Sequence, residues 1–165
     1  MSEPKRRLSF PKSRVVGSVA LIAILGTIIG FRQSQGRKLV RYPVPWTNLA
    51  TKVGPARWAA PTISVARDPT KLANLFQVAL LPTRPRPPSV DFSRNEVVLI
   101  TVGPRSSTGY SLHVVRVTQS GNLDIRVREE TPTLHDRVVP RVTFPYLLLV
   151  VPKSHKHVSV KYVGR

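Results

Sequence analysis

Val90-Asp91-Phe92-Ser93, then Val97-Val98-Leu99-Ile100-Thr101-Val102, then Gly103-Pro104-Arg105-Ser106-Ser107-Thr108-Gly109-Tyr110-Ser111 form one stretch with three successive kinds of local chemistry. Asp91 and Ser93 are turn formers whose side chains bond the nearby backbone ahead of a strand. The run 97–102 is apolar almost throughout and does not alternate, as in a strand covered on both faces. The following loop begins with Gly and Pro, carries three hydroxyls near its tip and ends at Gly109. A positive φ at Gly109 would fix the direction in which Tyr110 leaves. Tyr110 has two readings: an exposed anchor for a partner, or the first inward-packing residue of the next strand. Nothing in the stretch supplies a catalytic apparatus.

Downstream the period stays at two. Leu112–Thr118 reads as a second strand, and Gln119-Ser120-Gly121-Asn122 has turn chemistry. Leu123, Ile125 and Val127 alternate with Asp124, Arg126 and Arg128, a half-buried strand with its charges in water. The segments 138–144, 146–151 and 158–163 bring the strand candidates of this half to six. Short strands separated by turns predict an all-β fold, an antiparallel sandwich or small barrel, with one short helix upstream.

That helix begins at Asp68-Pro69, where Asp caps free amides and proline loses no hydrogen bond. Leu72, Leu75, Phe76, Ala79 and Leu80 share one face, and Pro82 limits the helix. A short strand over 62–66 precedes it, and the proline-rich segment 82–88 follows as a stiff connector. Residues 32–61 are basic and proline-punctuated and read as a stalk. Trp46 and Trp58 are costly to leave in water, so this stalk is expected to pack in part on a domain spanning 62–165.

The N-terminus is organised around Val15–Phe31, which carries no charge and is bounded by Arg14 and Arg32. As a helix it rises about 25 Å, at the short end of what crosses a hydrocarbon core. The apolar run exceeds that of a typical cleavable signal, and Arg32 interrupts the approach to small residues at Ser34 and Gly36, which favours an uncleaved signal anchor over secretion by cleavage. Basic residues at 5, 6, 7, 12 and 14 outnumber those just after the segment. They place residues 1–14 as a cytoplasmic tail and the C-terminal domain outside the cell membrane, single-pass.

The chain has no cysteine, which excludes disulfides, a thiol nucleophile and thiolate metal sites. Its 26 Lys and Arg against 8 Asp and Glu give a net charge of +18, most of it beyond residue 36. Such a field attracts anionic cell-wall polymers, lipid headgroups or an acidic protein face, or simply keeps the surface solvated. Nucleic acid is the less favoured partner, since the basic residues are scattered without interleaved stacking aromatics. Of the four histidines, His155 and His157 form the one pair spaced to share a metal on a strand face, and a solvated turn is the preferred reading. Adjacent Glu129 and Glu130 face opposite ways in a strand, so they make a poor acid–base pair. No catalytic residue, no metal ligand and no cofactor is predicted, and the chain reads as a non-enzyme.

Val90-Asp91-Phe92-Ser93, the strand after it, Thr108-Gly109-Tyr110-Ser111, Pro132, Pro145-Tyr146 and Val151-Pro152-Lys153 together resemble the C-terminal domain of the protease-complex subunit PrcB family. The likeness extends over about residues 60–162. It implies a small β-rich bacterial domain, exported and often tethered to the envelope, whose namesake is an accessory or stabilising subunit of a surface protease complex. The chain departs from the pattern at Thr108-Gly109-Tyr110, where a second glycine commonly precedes the tyrosine. Ser107-Thr108-Gly109-Tyr110 is also similar to the threonine-glycine-aromatic loop of chagasin-type cysteine protease inhibitors, although the loops at 128–132 and 143–146 match that family poorly.

These readings predict a membrane-anchored, extracytoplasmic protein-binding domain in an envelope complex, its partner an envelope protein such as a protease. The expected contact residues are Ser107, Thr108, Gly109 and Tyr110. The expected structural motif is Asp91, Phe92, Gly103, Pro145 and Tyr146. Inhibition of a cysteine protease and binding of anionic envelope polymers are the alternatives.

Overall fold

The computed structural model describes residues 40–80 and 85–164, and the segments expected as cytoplasmic tail and membrane anchor lie outside them. The described chain runs β1 (Tyr42–Pro43), β2 (Thr47–Asn48), α1 (Ala50–Val53), β3 (Pro61–Ala66), α2 (Pro69–Gln77), β4 (Asn95–Val102), β5 (Ser111–Gln119), β6 (Leu123–Glu130), β7 (Tyr146–Pro152) and β8 (Val158–Tyr162). Two four-stranded sheets result, ordered β1-β5-β6-β8 and β2-β7-β4-β3. The fold is therefore a β-sandwich, with two short helices among the described residues where one was expected. Its pairing is antiparallel except between β6 and β8, which run parallel with Leu123 opposite Val158. The exception arises because β7, lying between them in sequence, joins the other sheet.

Between the sheets, Val98, Ile100 and Val102 of β4 and Leu147, Leu149 and Val151 of β7 pack on Leu112, Val117, Leu123, Ile125 and Val127. The opposite faces of β4 and β7 turn Val97, Leu99 and Leu148 toward Leu49, Trp58, Leu72, Leu75 and Phe76. The unbroken apolar run in β4 follows from this double covering. Glu96, at its start, is fully buried yet satisfied, accepting from Arg67 Nε at 2.7 Å and Ser154 Oγ at 3.1 Å.

In α2, Asp68 accepts from the Lys71 amide at 2.7 Å and Pro69 takes the first turn. Leu72, Leu75 and Phe76 are buried, whereas Leu80 lies beyond the helix and is exposed. The described part of the expected stalk is woven into both sheets: β1 pairs with β5 and β2 with β7. Trp58 is 4% exposed, donates from Nε1 to the Leu75 carbonyl at 3.1 Å, and meets Phe76 edge-on and Tyr146 at a tilt. Trp46 is 42% exposed.

The strand expected over 138–144 does not form. Pro140 removes a ladder donor from its middle, and only a single bridge, Arg105 to Thr143, remains. Residues 131–145 are instead a long loop crossing from one sheet to the other.

Candidate functional site

The chain crosses between the sheets twice at one end of the sandwich, through residues 103–110 and again through 131–145. The two crossings are fastened to each other. The amides of Arg105 and Thr143 exchange hydrogen bonds with each other's carbonyls at 2.8 and 2.9 Å. Thr143 Oγ1 donates to the Ser107 carbonyl at 2.7 Å. The Thr108 amide donates to the Val139 carbonyl at 3.1 Å, and the Val139 amide returns a bond to Thr108 Oγ1 at 3.0 Å.

The glycines of this end have distinct reasons. Gly103 adopts φ 74°, and a Cβ there would lie 3.3 Å from the Ala59 carbonyl oxygen and from Pro61 Cδ. Gly109 does not take the positive φ expected of it. It is required by close approach: a Cβ would sit 2.5 Å from Val138 Cγ1 and 2.6 Å from Pro132 Cβ, distances no side chain tolerates.

Beneath the loops, Arg105 grips Glu129 with two guanidinium nitrogens and also donates to the Val102 carbonyl at 2.8 Å. The Glu129 hydrogen bond raises the Arg105 pKa, outweighing partial burial. The planar fork fits a carboxylate bidentately, so the pair locks the root of the first crossing to the end of β6. Tyr110 is half-buried above it. With Arg105, Glu129 and Thr131 it lines a cavity of about 260 Å³, and on its other side it borders a groove floored by Pro145 and Tyr146.

The expected contact residues thus sit together but unequally: Ser107 is buried, Thr108 is exposed, and Gly109 and Tyr110 are half-buried. The second crossing presents more. Leu134 is fully exposed, and Val139 and Val142 are more than half exposed. Arg137 and Arg141 stand in water beside them, whereas Asp136 is engaged in accepting from the Thr133 amide and hydroxyl. Of these, Val139, Arg141 and Val142 fall in the segment expected as a strand, where Pro140 is the sequence signal against one.

The motif residues lie elsewhere. Asp91 accepts from the Ser93 hydroxyl and amide, which hold its carboxyl below the usual range, and its carbonyl accepts from the Asn95 amide. Phe92 packs on the helix-side core, and its carbonyl accepts from Lys153 Nζ at 2.9 Å. Tyr146, following Pro145, shares its hydroxyl proton between the Gly54 and Ala50 carbonyls, at 2.6 and 3.1 Å.

One cluster has the composition of a nucleophile, base and acid. Ser111 Oγ lies 2.9 Å from His113 Nε2, and Glu130 Oε2 lies 3.0 Å from that same nitrogen. A single ring nitrogen cannot take the serine proton while donating to the carboxylate, so this arrangement lacks the relay geometry of a triad. Among the described residues no three His, Asp or Glu converge as metal ligands, and His155 and His157 occupy an exposed turn. No described helix is long and apolar enough to cross a membrane.

Residues 97–152 match the family model described as PrcB C-terminal. The match runs from β4 to β7 and so includes both crossings, with Thr108-Gly109-Tyr110-Ser111, Pro132 and Pro145-Tyr146, and it begins after Val90–Ser93. No curated protein and no solved structure matches the chain.

Proposed function

We propose that this chain, with its PrcB C-terminal domain, is an accessory or assembly subunit of a bacterial envelope complex, one built around a protease. The segment Val15–Phe31 anchors it in the membrane, and the domain acts outside, binding another protein rather than catalysing a reaction. The docking surface is the pair of joined crossings. One observation carries this reading: exposed Leu134, Val139 and Val142, with Arg137 and Arg141 around them, stand on loops whose backbones are cross-fastened. Exposed apolar groups on a pre-organised support lose little entropy on association, and arginine is favoured at such contacts.

The test is capture from native envelopes by the tagged full chain in detergent, washed at low and high salt. A specific protein should survive high salt and fall at least about tenfold with Val139→Asp, a loss of about 1.4 kcal/mol or more. Retention at low salt only, unchanged in the variant, would overturn the reading. Stoichiometric block of a papain-like protease by the same preparation would replace it with inhibition.

A further inference from the structure

The outer face of the β1-β5-β6-β8 sheet carries a row of cations. In the register, Arg116 of β5 lies opposite Arg126 of β6, which lies opposite Lys161 of β8. All three side chains are exposed, as is Arg128, two residues along β6 on the same face. Neighbouring strands are about 4.8 Å apart, so the row places three positive charges across roughly 10 Å.

Like charges directly opposite one another destabilise a sheet. Here nearby acids do not relieve them. Glu130 is held by His113, which itself faces Arg128; Glu129 is taken by Arg105; and Asp124, on the same face between Thr118 and Ser159, forms no ion pair with the row. Among the described residues none of Arg116, Arg126, Arg128 and Lys161 enters a salt bridge.

We infer that this face binds a linear polymer bearing a phosphate in each repeat, laid across the strands along Arg116, Arg126 and Lys161. Guanidinium forks match phosphate oxygens, and one phosphate between two adjacent arginines converts their mutual repulsion into shared attraction. A chain of phosphates engages the whole row, where a single ion engages two members of it. No aromatic side chain stands in the row itself: Tyr162, next to Lys161 and 48% exposed, lies opposite inward-facing Val127, and exposed Val115 sits at the irregularity in β5. The face therefore suits backbone phosphate rather than nucleobases or the acyl region of a bilayer.

Long-chain inorganic polyphosphate is the probe, titrated against the full chain in neutral detergent. Binding should fall steeply with salt, and Arg126→Glu should weaken it at least tenfold. Lys71→Glu, which reverses an exposed charge on α2 beyond the other sheet, should change it less than twofold. Arg126→Glu should also raise the melting temperature without ligand, because it breaks the like-charge row. Equal losses from the two variants would overturn the site in favour of diffuse charge. Binding of acidic-phospholipid vesicles at concentrations where polyphosphate does not bind would overturn the polymer as its occupant.

Discussion

Strands β4 and β7 carry packed side chains on both faces, whereas β5, β6 and β8 bury one face and turn the other to water. In β4 and β7 nearly every side chain is engaged in holding the molecule together: Val97 and Leu99 against the helix and Trp58, Val98 and Ile100 against the β1-β5-β6-β8 sheet. That sheet has positions to spare, and it fills them with arginine and lysine. Exposed side chains free of packing therefore stand on the open sheet and on the loops that cross between the two, which are fastened to each other.

The largest expected effect comes from the covered side. Trp58→Ala removes a buried aromatic and its contacts with Phe76 and Tyr146, at a cost of about 3–5 kcal/mol. A domain of this size should then melt about 10–20 °C lower. Arg116→Ala on the open sheet should move stability by less than about 0.5 kcal/mol. Similar melting shifts for the two variants, measured by calorimetry, would show that the open sheet is as firmly packed as the covered one.

A smaller effect is expected at the crossings. Arg105→Ala leaves Glu129 without its fork in a half-buried setting, which should cost about 1–2 kcal/mol, since partial exposure moderates the loss. Hydrogen exchange should quicken at Thr108 and Val139, whose amides fasten the two loops, while amides of β4 keep their protection. Uniform quickening across the domain would show that the crossings are not a separate unit.

The smallest effect is visible only in alkali. Burial pushes the Tyr146 phenol from 10.0 up to about 12. The folded protein keeps the proton where the unfolded chain loses it, so this stabilisation is complete below pH 10 and is lost as pH rises through about 12. Tyr162 is raised in the same sense, mainly by burial. Tyr146→Phe should therefore flatten only part of the decline in stability above pH 10, measured by denaturant titration. An unchanged alkaline profile would mean that the groove beside Tyr110 is wetter than the packing around Tyr146 implies.

Much of the fold was legible because its signals are periodic. The alternation at 123–128, the solid apolar run at 97–102 and the Asp68-Pro69 cap each state a burial pattern directly. Strands β1 and β2 were not legible, because two residues cannot establish a period and their pairing is decided by distant β5 and β7. Valines in 138–144 imitated a strand, although Pro140 and bonds to Thr108 hold them as a loop. At the proposed site, the Thr108–Tyr110 segment was legible in the sequence as a loop between strands. Its attachment to Val139 and Thr143 was not, since those contacts join residues more than thirty positions apart. Gly109 was singled out for its backbone, whereas contact with Pro132 and Val138 explains it.

A photo-activated crosslinker at Leu134 in the full chain, irradiated in native envelopes beside one at His155, is the decisive check on the proposed docking surface. The two positions are exposed, in the 131–145 crossing and in the β7–β8 turn respectively. One discrete protein adduct is expected from Leu134, weakening with Val139→Asp, and none of that mass from His155. Adducts of equal yield and identity from both positions, or none from Leu134 where His155 gives one, would contradict the proposed surface.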